Sequence, residues 1–297
     1  MKRGLSAALI TLTLLSTLPG AWAQDTDWQG VHQRAVDCLR GILAQEKEWV
    51  RVHAAEALLR HGCPEGVEAL FLPDIDTAPP KHRIGVWRVL AQAQTSAEAR
   101  EQYVARIRNA FCDPEGPDRL HAVETLSKLK DAERPAELLR VAREETSQLQ
   151  AYAAWAVANS GIPDEETAFV ALLNSDEPNV RTGVAYGLRF FPRIQPASFE
   201  ALKKARDREP SDSRAGVYLT SALYVHVPED EAPALRKKLD PYLLEGAKEQ
   251  KYEACAALAR RGDMNDVPTL LQLLEDPEPD VRVGAADALL SIEKRSR

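Results

Sequence analysis

The stretch DPEPDVRVGAADALL, residues 276–290, decides the fold. Its rhythm recurs as SDEPNVRTGVAYGL at 175–188 and as EKEWVRVHAAEALL at 46–59. The first small residue after the Val-Arg element serves as an anchor. Anchors fall at Ala54, Gly85, Ala122, Ala153, Val184, Ala215, Ala254 and Ala285, in steps of 31, 37, 31, 31, 31, 39 and 31 residues. Four positions after them stand Leu58, Val89, Leu126, Val157, Leu188, Leu219, Leu258 and Leu289. Residues four apart share one face of a helix, so every anchor opens an apolar stripe. Upstream of most anchors lies a second amphipathic run, such as VPTLLQLLED at 267–276 and ETAFVALLN at 166–174. Asp276-Pro277 and Glu177-Pro178 punctuate the two runs, ending one helix and starting the next.

The unit is a helix A, a turn and a helix B, repeated about eight times. One such pair cannot bury its own apolar face, so neighbours must stack. This predicts an all-α fold, an α-solenoid over residues 24–297. The longer steps, 37 ending at Ala122 and 39 ending at Ala254, mark loop insertions, the second around VPEDEAP at 227–233, and the Pro-rich PDIDTAPPKH at 73–82 reads as a further loop before Ile84. The element acidic-Pro, Val-Arg, two variable positions, then Ala-Ala-x-Ala-Leu is clearest at Val50-Arg51, Val180-Arg181 and Val281-Arg282. It resembles the short HEAT-like repeats also seen in phycobilisome lyases, an armadillo-like architecture. That resemblance is specific for architecture and weak for function.

Composition agrees. The chain carries 44 Ala among 297 residues and only 6% aromatics, a balance that favours helices over strands. Its net charge of −7, with no basic block, gives no electrostatic reason to bind nucleic acid. Residues 1–23 read as an export signal: Lys2 and Arg3, an apolar run from Leu5 to Leu18, then Ala21-Trp22-Ala23 as a cleavage site. Its removal predicts a mature, exported chain, periplasmic or secreted, with no membrane attachment. Four Cys then permit disulfides. A Cys38–Cys63 bridge is the pairing their similar height in adjacent repeats allows, and Cys255, next to an anchor, reads as a core thiol.

Chemistry finds little to hold on to. Deoxyhypusine hydroxylase, an enzyme with HEAT-like repeats, binds iron through His-Glu dipeptides, and none of the six His here precedes a Glu. The lyase resemblance implies bilin attachment to a partner's Cys, but brings no catalytic motif that can be placed on residues of this chain. Phosphate loops, nucleophile elbows, HExxH and CxxC are absent. His53/Glu56 and His121/Glu124 are His-x-x-Glu pairs on helix faces. Separated by stacked helices about 8–10 Å apart, they are not expected to share one metal ion. The expectation is an exported, non-catalytic scaffold without cofactor or metal, with an enzyme resembling bilin lyases as the alternative.

The binding surface is expected on the B helices, opposite the apolar stripe. The positions one before and two after the anchors fall there, giving His53, Glu56, Trp87, His121, Glu124, Tyr152, Trp155 and Tyr186 as ligand-binding candidates. Trp87, Tyr152, Trp155 and Tyr186 are expected to line one concave groove for a protein or peptide partner, or a carbohydrate. The last B helix lacks an obvious polar cap, so its open end is expected either to be covered by a partner or to carry only a small apolar face.

Overall fold

A computed structural model of the chain describes residues 27–297 apart from 134, 161, 163 and 211; the expected export signal lies outside the described residues. The elements are all helical. The first two pairs are α1 (Trp28–Gln45) with α2 (Glu48–Arg60) and α3 (Val67–Phe71) with α4 (His82–Ala93). Then come α5 (Ala97–Cys112) with α6 (Arg119–Leu129) and α7 (Pro135–Glu144) with α8 (Gln148–Asn159). The third quarter holds α9 (Glu165–Ala171) with α10 (Pro178–Leu188) and α11 (Pro196–Arg208) with α12 (Arg214–His226). Last are α13 (Ala232–Leu244) with α14 (Lys248–Arg261) and α15 (Val267–Leu273) with α16 (Pro279–Ser296). No helix of the described residues is long and apolar enough to cross a membrane.

The repeat register holds in every pair. All eight anchors are buried, and the eight Leu and Val four positions later are each at most 1% exposed. Local chemistry sets the boundaries. Ser96, Ser147 and Ser213 accept backbone N–H bonds at helix starts, and Pro178, Pro196 and Pro279 open the first turns of α10, α11 and α16. The Val-Arg element has a physical reason. Arg181 donates to the carbonyls of Ser175 and Asp176, and Arg282 to those of Asp276 and Pro277. Each guanidinium thus folds back to satisfy the turn between helix A and helix B, while Val180 and Val281 are fully buried.

The inner B helices follow one another in contact, α2, α4, α6, α8, α10, α12, α14, α16, and α16 then packs on both α1 and α2. The solenoid closes into a ring, with the A helices outside. This corrects the expected open end: the chain's own first repeat covers α16. Ion pairs line the seam. Asp287 of α16 accepts from Arg60 at 2.5 Å and His61 at 2.8 Å, His53 pairs with Asp280, and His32 with Glu293. All four described cysteines are free. Cys38 faces Arg282 across the seam, so the Cys38–Cys63 bridge is not formed, whereas Cys255 is wholly buried and its thiol is pushed up to about 12 by that burial.

Candidate functional site

Ring closure turns the expected open concave face into a central lumen of about 680 Å³, lined from all eight B helices. Its lining starts in their first turns, at Trp49, Gln148, Lys248 and Asp280, and ends near their last, at Arg60, Lys128, Arg260 and Ser291. Alternate helices meet across it. Trp49 of α2 stacks on His121 of α6 at 4.9 Å, and Tyr186 of α10 donates its hydroxyl to Glu124 of α6 at 2.8 Å. Arg189, which caps α10, pairs with Glu253 of α14 at 2.9 Å, and Tyr252 of α14 stacks on His53 of α2 at 5.4 Å.

Six of the eight sequence candidates line this lumen: His53, Glu56, His121, Glu124, Tyr152 and Tyr186. Trp87 and Trp155 do not. Trp87 turns outward, donates its indole N–H to the Ile75 carbonyl at 2.8 Å and lies under Arg83 and Arg106. The reason is a rotation of α4, which presents Arg88 and Gln92 inward, one position on from the expected face. Trp155 is fully buried between α8 and α10, against Tyr186 and Phe190. Gly187 makes that approach possible, since a Cβ there would come within 2.8 Å of the Phe169 ring and 3.0 Å of Trp155.

The two His-x-x-Glu pairs are not solvated surface pairs, because both glutamates lie largely out of solvent and are held by cations. Glu56 is 8% exposed and accepts from Arg88 at 2.7 Å, and Arg88 also donates to Thr125. Glu124 pairs with Lys128 at 2.9 Å as well as holding Tyr186. No cluster of three or more His, Cys, Asp or Glu suited to a metal occurs among the described residues. Sequence reasoning missed Trp49, Arg60, Arg88, Lys128, Arg189, Tyr218 and Tyr252. Extending the same helical stripe one turn in each direction finds Trp49, Arg60 and Lys128.

The lumen is charged against the sign of the chain. Seven Lys and Arg line it (Arg60, Arg88, Lys128, Arg189, Arg214, Lys248, Arg260), against Glu56, Glu124, Glu249, Asp280 and Asp287. Burial raises the Glu56 and Glu124 carboxyls, but Arg88 and Lys128 outweigh it and hold both at about 2. Asp287 is likewise held at about 2, burial being outweighed by Arg60 and His61. Glu253 goes the other way: burial pushes it up to about 7 in spite of Arg189. The first three contribute stability that is complete above the ordinary carboxylate range and lost as pH falls toward about 2. Glu253's contribution is complete below that range and lost as pH rises through about 7. Thermal melts across pH should therefore decline on both sides, and Glu253→Gln should flatten the limb between about 5 and 7. An unchanged limb in that variant would assign it to other groups.

Among known families, the model described as HEAT repeat matches residues 267–295, the α15–α16 pair. Human deoxyhypusine hydroxylase in complex with glycerol is 16% identical over 92% of this chain and 98% of its own, at a TM-score of 0.41. Two engineered proteins are each 18% identical over 92% of this chain, covering 87% and 94% of theirs at TM-scores of 0.31 and 0.25. No curated protein matches the sequence. With the last pair matched and its register repeated through seven others, the chain is an α-solenoid of HEAT-like repeats.

Proposed function

We propose that this chain is an exported, non-catalytic binding protein whose binding site is the lumen of the ring. One observation carries the reading: a single cavity of about 680 Å³, within the usual range for small-ligand sites, collects side chains from every B helix. A folded protein surface does not enter a space of that size. The occupant is a sugar-sized molecule or a short extended peptide, taken up against the aromatic wall formed by the Trp49–His121 stack, Tyr186 and Tyr252. Glu56 and Glu124 are held by cations and Tyr186 rather than poised beside a nucleophile, which supports binding over catalysis. Export rests on the signal-like residues 1–23.

Calorimetric titration with mono- and disaccharides and with short peptides tests the reading. A ligand is expected from one of these sets, with Tyr186→Ala and Tyr252→Ala each weakening it at least about ten-fold. Trp87 is buried away from the lumen, so Trp87→Ala should leave the affinity of the folded variant unchanged. Wild-type affinity in both tyrosine variants would remove the lumen as the site. Visible absorbance in the purified protein would instead favour the enzyme reading that the likeness to phycobilisome lyases suggests.

A further inference from the structure

At the mouth formed by the C-terminal ends of the B helices, cations outnumber their partners. Arg60 is paired with Asp287 and Arg189 with Glu253. Arg260 has no carboxylate partner among the described residues; it donates only to the Phe190 carbonyl, at 3.1 Å, and its guanidinium stands 5.8 Å over the Phe190 ring. Desolvation and the neighbouring charges of Arg189 and Arg60 depress its pKa, against the opposing pull of Asp287, and Arg295 adds to the crowding. The lumen does not end there. Arg260 and Ala259 also line an adjoining depression of about 670 Å³, which adds Arg193, Arg261 and Arg295. In that depression Glu229, paired with Arg261, is the one carboxylate. Arg295 is spent on the last carbonyls of α14, and Arg193 has no hydrogen bond or ion pair among the described residues.

Part of this basic excess is expected at such a place, because cations near helix C-termini complement the helix dipoles, as Arg295 does at the end of α14. Arg260 stands in the last turn of α14, so that account covers its position but neither its lack of a carboxylate partner nor Arg193. Neighbouring guanidinium groups without counter-charges repel one another, and an anion between them relieves the repulsion while each offers a planar fork of donors. In a chain of net charge −7, two arginines without a carboxylate partner, Arg193 and Arg260, at the entrance to the proposed binding site are a local reversal of sign that steers anions inward.

We infer that Arg260 and Arg193, backed by Arg295, form an anion-binding mouth that anchors the carboxylate or phosphate group of a ligand whose uncharged, ring-bearing body lies in the lumen. This rests on the lumen reading and deepens it by naming the chemistry of the ligand's anchored end. Its carboxylate and phosphate forms share one recognition mode, a two-oxygen face presented to guanidinium forks.

The test is calorimetric titration of the wild-type chain with citrate and with inorganic phosphate at constant ionic strength set by sodium chloride. At least one anion is expected to bind, and Arg193→Gln/Arg260→Gln should weaken it at least about ten-fold, because two charge-assisted contacts go. Binding of citrate alone identifies the anchored group as a carboxylate, and binding of phosphate alone as a phosphate. Both substituted residues are exposed, and an unchanged unliganded melting temperature in the variant shows that folding is intact. Absence of any anion binding by the wild type, or equal affinity in the double variant, overturns the proposal. Tyr186→Ala separates the two readings. If it abolishes the binding of an uncharged lumen ligand while the arginine variant changes no anion affinity, the mouth fails and the lumen stands. If the arginine variant loses anion binding and Tyr186→Ala leaves every lumen ligand unaffected, the lumen reading fails while the anion site is retained.

Discussion

Trp155→Ala should destabilise the ring by about 3–5 kcal/mol, the range for truncating a fully buried large aromatic. The indole is 0% exposed, packed edge-on against Tyr186 at 5.8 Å and at a tilt against Phe190 at 5.0 Å. No smaller side chain collapses easily into that space, because Gly187 already brings α10 as close as a missing Cβ allows. The indole N–H has no hydrogen-bond partner among the described residues, so the loss is one of packing, not of a polar bond. Trp155→Phe, which keeps a ring in the gap, should cost only a fraction of the alanine change. At about 2–4 °C per kcal/mol for a chain of this size, the alanine variant should melt roughly 10 °C lower. A shift of a degree or less would mean that α8 and α10 close over the void.

The second large effect is electrostatic. Arg88 is 1% exposed, donates to Glu56 at 2.7 Å and to Thr125 at 3.1 Å, and lies 5.7 Å from the Trp49 ring centre. Arg88→Met keeps most of the volume and removes the charge. Glu56 is then buried with its main partner gone, and the loss should be about 3–5 kcal/mol at neutral pH. Without Arg88 the Glu56 carboxyl prefers to be protonated, so the deficit should shrink as pH falls toward 4.5, the carboxyl's ordinary value. Arg88→Met/Glu56→Gln should recover most of it, because neither charge remains to be desolvated. Urea denaturation of the three proteins at neutral and at acid pH measures each step. A single variant whose deficit is independent of pH would show that Arg88 acts through shape rather than charge.

How much of this was legible in the sequence differs from level to level. The anchor register was fully readable, since a 3.6-residue period and a small residue at each contact leave the helix no other face to bury. The same rule placed His53, Glu56, His121 and Glu124 on the inner side. It misplaced Trp87 because it assigned one inward face to every B helix. Two helices are rotated: α4 and α12 present Arg88 and Tyr218, three positions after their anchors, where α2 and α6 present Glu56 and Glu124, two positions after theirs. A rotation of that kind comes from packing between neighbours and leaves no mark on an isolated repeat. Ring closure was hidden for a related reason. Curvature accumulates through small turns at each interface, and no short segment reports the total. A trace existed, all the same: histidines of the first repeat, His32, His53 and His61, meet carboxylates of the last, Glu293, Asp280 and Asp287.

The seam between α1, α2 and α16 also constrains how such a chain can change its length. A linear solenoid tolerates the gain or loss of a unit at either end, because each end interface is a copy of the others. In a closed ring the first and last units must meet at a set angle, with Arg60 and His61 arriving at Asp287. An extra pair would push them out of register and a missing pair would overshoot. Duplication of a repeat, the ordinary route by which these arrays diversify, is therefore closed to this molecule. Change is channelled instead into the residues lining the lumen and into loops between helices, such as the segment at 73–82, which can grow without disturbing the seam.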